Sequence, residues 1–401
     1  IGVRLVGSEM CIRDRGNIMF LKVTQSIGIL SLFTLFGTSI SDAAETPVDI
    51  TNKEGNVAVS SNYEPDGVTL TTQQGQILYN FQGNKEADPA SLSKMMTLYL
   101  TLEAVHQGKL KLDDKVKITS AYDQLSKKPN LTSVPLNQGQ IYTIKDLLTQ
   151  AALPSSNSAA MILGEQVSGN TSTFTDKMNA QAKAFHMKHT HFVNPAGAAN
   201  DLLGQQAPKK YRKDIYPKST SEDIAILSHH LIAKHPKILN ITQLSQDTQK
   251  GYTFNNTNLS IKHEPLYLKG TDGLKTGTSD KGYNIALTNQ QNHLRLNEVV
   301  MNVAPYMDNN AKYNRNRIGN AIFKHYRKEY EYKKVLSKGE HKIGGKTYKV
   351  DKNLYDTVPK DNKKWDIRIN KDGKAYVHYK RDFLPETTYP RVNAKKVWKW
   401  F

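Results

Sequence analysis

Ser91-Leu92-Ser93-Lys94 sets a hydroxyl and an amine three residues apart, a spacing that on a helix turns both side chains to one face. A serine hydroxyl is a poor nucleophile until a base takes its proton. Lys94 can be that base only while its amine is neutral, a state favoured by partial desolvation and by a second ammonium nearby. Two further groups follow in order: Ser155-Ser156-Asn157 begins 64 residues after Ser91, and Lys275-Thr276-Gly277-Thr278 begins 184 residues after it. Lys275 can supply that second ammonium and, with the hydroxyls of Thr276 and Thr278, clamp a free carboxylate. Ser155 is placed to pass a proton to a leaving amine, while Asn157 donates to a substrate carbonyl and helps hold Lys94. Gly277 leaves room for a bound chain alongside, and the backbone N–H groups of Ser91 and Thr278 would form an oxyanion hole. Alone, the first motif reads more simply as a capped helix with a solvated lysine. The ordered set reads as acyl transfer through an activated serine.

Each group needs an element to hold it. Met95, Met96, Tyr99, Leu100, Leu102 and Val105 recur at helical spacing over 92–107, after Pro89 and before Gly108, so Ser91 opens a helix. Thr143 and Asp146 form a helix-start pair, and that helix must stop at Leu153-Pro154. Ser155 and Asn157 then lie in a loop before a helix over 158–167. Further helices are expected at 173–185, 221–234 and 314–327. Short alternating stretches at 52–60 and 63–81 read as strands and a hairpin, and 273–278, 283–289 and 295–303 read as three adjacent antiparallel strands, Lys275 lying on the first. Helices between a strand-rich start and a strand-rich end suit an α+β fold, one antiparallel sheet with packed helices. Strands at 332–336, 346–350, 365–370 and 375–379, with turns at Gly344-Gly345 and Asp372-Gly373, read as a separate small all-β domain. Asp272 and Gly273 shape a strand entry, and Asn194 and Gly197 read as turn makers.

With 401 residues, 38% of them hydrophobic, and one cysteine, the chain is not collagenous, disulfide-stapled or wholly disordered. Its 55 Lys and Arg outnumber 37 Asp and Glu, but unevenly: residues 45–310 hold 26 basic and 24 acidic side chains, and 311–401 hold 25 and 10. The excess is a property of the C-terminal module. Residues 1–15 resemble the translated read-through of a sequencing adapter, so 1–18 are set aside. Residues 19–44 read as a signal peptide: Lys22, an apolar run over 27–36, then Ser41 and Ala43 before the cleavage point. Ten apolar residues are too few to span a bilayer. Cys11 lies in the prefix, which leaves an exported protein without cysteine. The expected division continues as an acyl-transferase domain at 45–328, a basic β-domain at 329–390, and a basic aromatic tail at 391–401 that stops short of a membrane anchor.

The three motifs together match the set shared by penicillin-binding proteins and serine β-lactamases. Over residues 55 to about 390 the chain resembles the low-molecular-mass penicillin-binding proteins, serine-type D-alanyl-D-alanine carboxypeptidases. The resemblance runs through Asp88 to Thr97, His191 to Gly197 and Thr271 to Thr278. Ser155-Ser156-Asn157 in place of the commoner Ser-Gly-Asn, and Leu336 to Glu340, are similar to the penicillin-binding protein 4 branch of Gram-positive cocci. This implies a penicillin-binding transpeptidase or serine β-lactamase-like domain followed by the all-β one. It also implies carboxypeptidase activity on peptidoglycan stem peptides ending in D-Ala-D-Ala, an added transpeptidase ability, acylation by β-lactam antibiotics, and no cofactor.

Two other functions share these motifs. A class A β-lactamase would place a glutamate between the middle and last groups, where His191 to Gly197 holds none. A non-catalytic wall-binding sensor would not need both Ser91 and Lys94. His186, His189 and His191, and His229, His230 and His235, lack a following ligand at metal-binding spacing, so no metal is expected. Export disfavours nucleic acid. The basic module suits an anionic membrane surface or a phosphate-rich wall polymer at the outer face of the cell membrane.

Overall fold

The computed structural model describes residues 45–398. The prefix and signal-peptide readings lie outside them. The described chain opens with helix α1 (Pro47–Glu54), where 52–60 reads as a strand in the sequence. Thr46 and Asp49 form a reciprocal capping box and Pro47 fixes the first helical φ, so the helix start outweighs the short alternation after it.

Strands β1 (Gly67–Thr72) and β2 (Gln76–Phe81) form the expected hairpin. A 3-10 turn, Ala90–Ser93, feeds helix α2 (Lys94–His106). Helix α3 (Ile144–Ala152) starts at a capping box of Thr143 and Asp146, and α4 (Asn157–Ser168) starts at Ser156, whose hydroxyl accepts from Ala159 N–H. Next come α5 (Thr171–Ala184) and α6 (Ser221–Lys234), then β3 (Thr271–Thr278), β4 (Tyr283–Gln291) and β5 (Leu294–Val303), and finally α7 (Asn309–Glu329).

Period-two alternation on the strands separates two cores. On β5, Val299 and Met301 face a helical cluster that includes Leu92, Met95, Leu98, Leu147, Ala160 and Ile224. Leu296 and Val300 face the other way, onto Val68, Ile285, and Ile318, Ile322 and Phe323 of α7. The sheet is therefore covered by helices on both faces, and α2 with its Ser91 turn is held against one of them. Among the described residues no helix is long and apolar enough to cross a membrane.

The C-terminal region adds β6 (Tyr330–Leu336), β7 (Gly339–Ile343), β8 (Lys346–Val350), β9 (Leu354–Pro359), β10 (Asp366–Ile369), β11 (Lys374–His378), β12 (Asp382–Phe383) and β13 (Arg391–Lys396). It has its own core of Leu336, Val350, Val358, Val377 and Val392. Two features depart from a separate domain followed by a tail. Strand β13 is the middle of a five-stranded sheet ordered β7-β8-β13-β11-β10, with Val392 and Ala394 buried. Its lysines belong to the outward face or to the strand end, and read as a tail only when counted as charge. Strand β12 leaves the module and joins the main sheet, whose order is β12-β2-β1-β5-β4-β3. The junction is tied by Arg381, which donates to Gln76 Oε1 at 3.3 Å and, within the module, to the buried Asp356 carboxylate at 2.9 Å, and by Gln76 Nε2, which donates to the Tyr379 hydroxyl at 2.8 Å.

Truncation ahead of Arg391 should therefore unfold the C-terminal module, since burial of Val392 alone is worth about 1.5–3 kcal/mol and two neighbouring strands lose their partner. Limited proteolysis should show residues 330–390 becoming labile, while a chain cut after Lys396 stays protected. Equal protection of the two would refute the strand's structural role.

Candidate active site

Ser91 lies in the 3-10 turn just ahead of α2, and the turn is held in an uncommon shape. Ala90 has φ +46°, a left-handed conformation that costs a residue with a Cβ about 1–3 kcal/mol and persists only where its surroundings enforce it. Those surroundings are identifiable. Asp88 Oδ1 accepts from Ala90 N–H at 2.7 Å, and Asn284 Nδ2 on β4 donates to the Asp88 carbonyl at 2.9 Å. Gly197, at φ +74°, fits where any Cβ would stand 2.0 Å from the Ala90 carbonyl oxygen. Ser155 is likewise left-handed, at φ +65°, in the turn forced by Pro154.

Lys94 is fully buried. Its Nζ lies 2.7 Å from Ser91 Oγ, 2.8 Å from Asn157 Oδ1 and 2.8 Å from the Ala196 carbonyl oxygen. The Asn157 amide is oriented by its Nδ2, which donates to the Thr132 carbonyl at 2.8 Å. Asn157 Oδ1 and the Ala196 oxygen can only accept, so they take two N–H groups of the amine. In the neutral state this aims the lone pair at the Ser91 hydroxyl. Burial first, then the Lys275 ammonium, hold the Lys94 amine well below the ordinary lysine range.

Lys275 is also buried, and donates to Ser155 Oγ at 2.8 Å and to the Thr276 carbonyl at 2.9 Å. Burial, and next the charge of Arg315, bring it down to about 7. Arg315 sits on α7, donating to the Gly277 carbonyl at 3.2 Å and the Asn284 carbonyl at 3.3 Å, with its guanidinium over the Tyr283 ring. Thr276 Oγ1 meets Thr257 Oγ1, and Thr278 is exposed at the end of β3. The structure thus brings Ser91, Lys94 and Asn157 into one hydrogen-bonded set, and Ser155 with Lys275 into another beside it. Gly277 differs from its expected use: a Cβ there would lie 2.8 Å from the Pro89 carbonyl oxygen, so its smallness lets the strand close on the Ser91 turn.

Several positioning groups carry no motif of their own. The Ala196 and Thr132 contributions are backbone carbonyls, and Arg315 reads in sequence as one more cation of a basic segment. Asn194 is more than a turn former: its Oδ1 accepts from Ala196 and Gly197 N–H at 2.9 and 2.7 Å, which sets the loop that presents the Ala196 carbonyl. Asp272 binds Arg295 through both oxygens at the strand entry. His186, His189 and His191 each meet a single carboxylate, from Glu386, Glu86 and Asp214 respectively. Among the described residues no cluster of three metal-ligating side chains occurs.

An antiparallel sheet flanked by helices, with these three motifs at a helix start, an interhelical turn and an edge strand, is the fold of penicillin-binding transpeptidases and serine β-lactamases. The sequence profile described as D-alanyl-D-alanine carboxypeptidase matches residues 65–305, and a domain of unknown function matches 332–395. The chain belongs to the D-alanyl-D-alanine carboxypeptidase family. It is 30% identical to the D-alanyl-D-alanine carboxypeptidase DacF of Bacillus subtilis over 251 residues, covering 61% of this chain and 59% of that protein. It is 30% identical to DacA of Haemophilus influenzae over 291 residues, 71% of this chain and 67% of that one. The match thus spans about three fifths of the first relative's length. Among solved structures, a peptidoglycan synthesis regulatory factor (PBP3) of Streptococcus pneumoniae superposes with TM-score 0.71 at 25% identity, covering 83% of this chain and 99% of that one. Penicillin-binding protein D2 of Listeria monocytogenes, in its ampicillin-bound form, gives 0.53 at 28% identity, covering 65% and 96%.

Gly277→Ala should force β3 away from the Ser91 turn. The expected cost is about 1–3 kcal/mol of stability, read by thermal unfolding, together with slower acylation of Ser91. An unchanged melting temperature would mean that the close approach is not needed.

Proposed function

We propose that the protein is a serine-type D-alanyl-D-alanine carboxypeptidase acting on peptidoglycan stem peptides, with transpeptidase ability where an amine replaces water. The observation that supports it most is the buried Lys94 amine, aimed at Ser91 Oγ by two acceptors that cannot donate. Ser91 Oγ attacks the carbonyl carbon of the penultimate D-alanine while Lys94 takes its proton. The oxyanion forms against the N–H groups of Ser91 and Thr278. Ser155, whose hydroxyl accepts from Lys275 Nζ, relays the proton to the departing D-alanine amine, leaving an ester on Ser91. Lys275 with Thr276 and Thr278 receives the terminal carboxylate, and Asn157 receives the peptide amide. Water then hydrolyses the ester, or an amine takes the acyl group.

β-Lactams acylate the same serine in this reading. Among the described residues the groups bonded to Lys94 are a hydroxyl, an amide and a backbone carbonyl, with no carboxylate base, which favours slow release of the penicilloyl group over β-lactamase turnover. The signal-peptide reading of 19–44 supports a place outside the cytoplasm, at the cell wall. The outward lysines of the C-terminal module suit an anionic membrane surface or wall polymer. The Ser155-Ser156-Asn157 variant supports placement in the penicillin-binding protein 4 branch.

Benzylpenicillin should give a stable mass adduct mapped to Ser91 and absent in Ser91→Ala; an adduct elsewhere would overturn the assignment. Lys94→Arg keeps a long basic side chain but puts a permanent charge where a neutral amine is needed and removes the base, and acylation should fall by at least about 100-fold, with a milder loss in Lys275→Arg. Equal losses would show that the lysine roles are misassigned.

The pH dependence has a definite sign. Lys275 clamps only as an ammonium, and its value of about 7 means that the free enzyme loses this charge as pH rises through neutrality. For a D-Ala-D-Ala peptide kcat/KM should fall on the alkaline side with a midpoint near that value. The same peptide ending in an amide should lack that limb. Arg315→Met removes a charge that pushes Lys275 down, so the limb should move to higher pH; identical profiles in wild type and variant would overturn the coupling.

A further inference from the structure

A carboxylate can only accept hydrogen bonds, so Thr276 can help to hold one only by donating, and a hydroxyl has a single proton to give. Thr276 is buried, and its Oγ1 already has a partner, the hydroxyl of Thr257, which belongs to none of the three motifs. Which of the two oxygens holds the shared proton therefore decides what Thr276 can offer a substrate.

Thr257 is fixed from both sides. Just before it, the buried Asn256 donates through Nδ2 to the carbonyls of Thr242 and Leu244 at 3.0 and 2.9 Å. Just after it, the buried Asn258 donates to the Gly273 carbonyl at 3.1 Å and accepts from Asn316 of α7 at 3.2 Å. Between these anchors the Thr257 N–H donates to the Leu153 carbonyl at 3.2 Å, and its hydroxyl stands 3.3 Å from the same oxygen. Leu153 lies two residues ahead of Ser155, and Thr276 follows Lys275 directly. Thr257 thus ties the turn that carries Ser155 to the strand that carries Lys275.

Two arrangements of the protons satisfy these contacts. In one, Thr276 donates to Thr257 and Thr257 donates to the Leu153 carbonyl. In the other, Thr257 donates to Thr276, and the Thr276 proton is released to a third group. The second leaves no carbonyl orphaned, because Leu153 keeps the Thr257 N–H. A hydroxyl that accepts one bond also donates a stronger one. Only the second arrangement suits an incoming carboxylate.

We infer that Thr257 is a positioning residue for carboxylate recognition: its hydroxyl donates to Thr276 Oγ1 and turns the Thr276 proton toward the substrate, favouring a peptide that ends in a free carboxylate over one that ends in an amide. The inference rests on the carboxypeptidase reading, and its test separates the two. Wild type, Thr257→Val and Thr257→Ser are compared on a peptide ending in D-Ala-D-Ala and on the same peptide as its C-terminal amide, by release of D-alanine or D-alaninamide. Valine keeps the shape without the hydroxyl, so KM for the acid should rise about fivefold, the worth of one hydrogen bond, with kcat nearly constant and no such rise for the amide. Thr257→Ala should repeat the effect and Thr257→Ser should restore the wild-type KM. In a Thr276→Val background, Thr257→Val should cost nothing further, because the group it acts through is gone. An unchanged KM for the acid, equal losses on both peptides, a fall in kcat such as a displaced Ser155 turn would cause, or losses that add to those of Thr276→Val would overturn the assignment. Benzylpenicillin labelling of the wild-type protein reports on the catalytic reading independently. An adduct together with a KM that Thr257→Val leaves unmoved sinks the positioning role alone, whereas no adduct and no D-alanine release sink both.

Discussion

A fully buried lysine amine, bonded to a hydroxyl, an amide oxygen and a backbone carbonyl, is the constraint on which this structure turns. A charged ammonium at the position of Lys94 would meet a large desolvation penalty, and the neighbouring Lys275 adds to it, while Arg315 acts in the same sense on Lys275. The protein resolves this by holding Lys94 as an amine and by giving its N–H groups two acceptors. Stability and chemistry then ask for the same state. Replacing either acceptor would change both how basic Lys94 is and where its lone pair points.

Holding that amine in place takes three parts of the fold that are far apart in sequence. Helix α2 supplies the lysine, the start of α4 supplies Asn157, and the loop ordered by Asn194 supplies the Ala196 carbonyl. The edge strand is fastened to the same centre by close backbone approach at Gly277, by Asn284 reaching Asp88, and by Arg315 bridging two strand carbonyls. Left-handed Ala90 and Ser155 show where these requirements overrule local preference.

Much of this was legible in the residues. Caps and breakers such as Thr143 with Asp146, or Pro154, act locally, so they mark the elements that carry Ser91 and Ser155. The alternation of 273–303 marks the sheet beside them. Features set by tertiary context were not legible. Strand β12 has two residues and no period to detect, and β13 shows its lysines more plainly than the buried Val392 and Ala394. Helix α1 was hidden by a short alternating stretch whose register the Thr46 cap overrides. Within the site, side-chain chemistry could be read, but the carbonyls of Ala196 and Thr132 leave no mark, and the burial of Arg315 is decided by α7 packing on the sheet.

The central place of β13 has a mechanical meaning. It is flanked on both sides, by β8 and β11. A pull on the chain just beyond Lys396, directed along the strand, would load hydrogen bonds to both neighbours together in shear. An edge strand would instead peel open one bond at a time. The module meets the main sheet at β12 and around Gln76, Arg381 and Tyr379, so part of any such load would enter the sheet at the edge opposite the strand that carries Lys275.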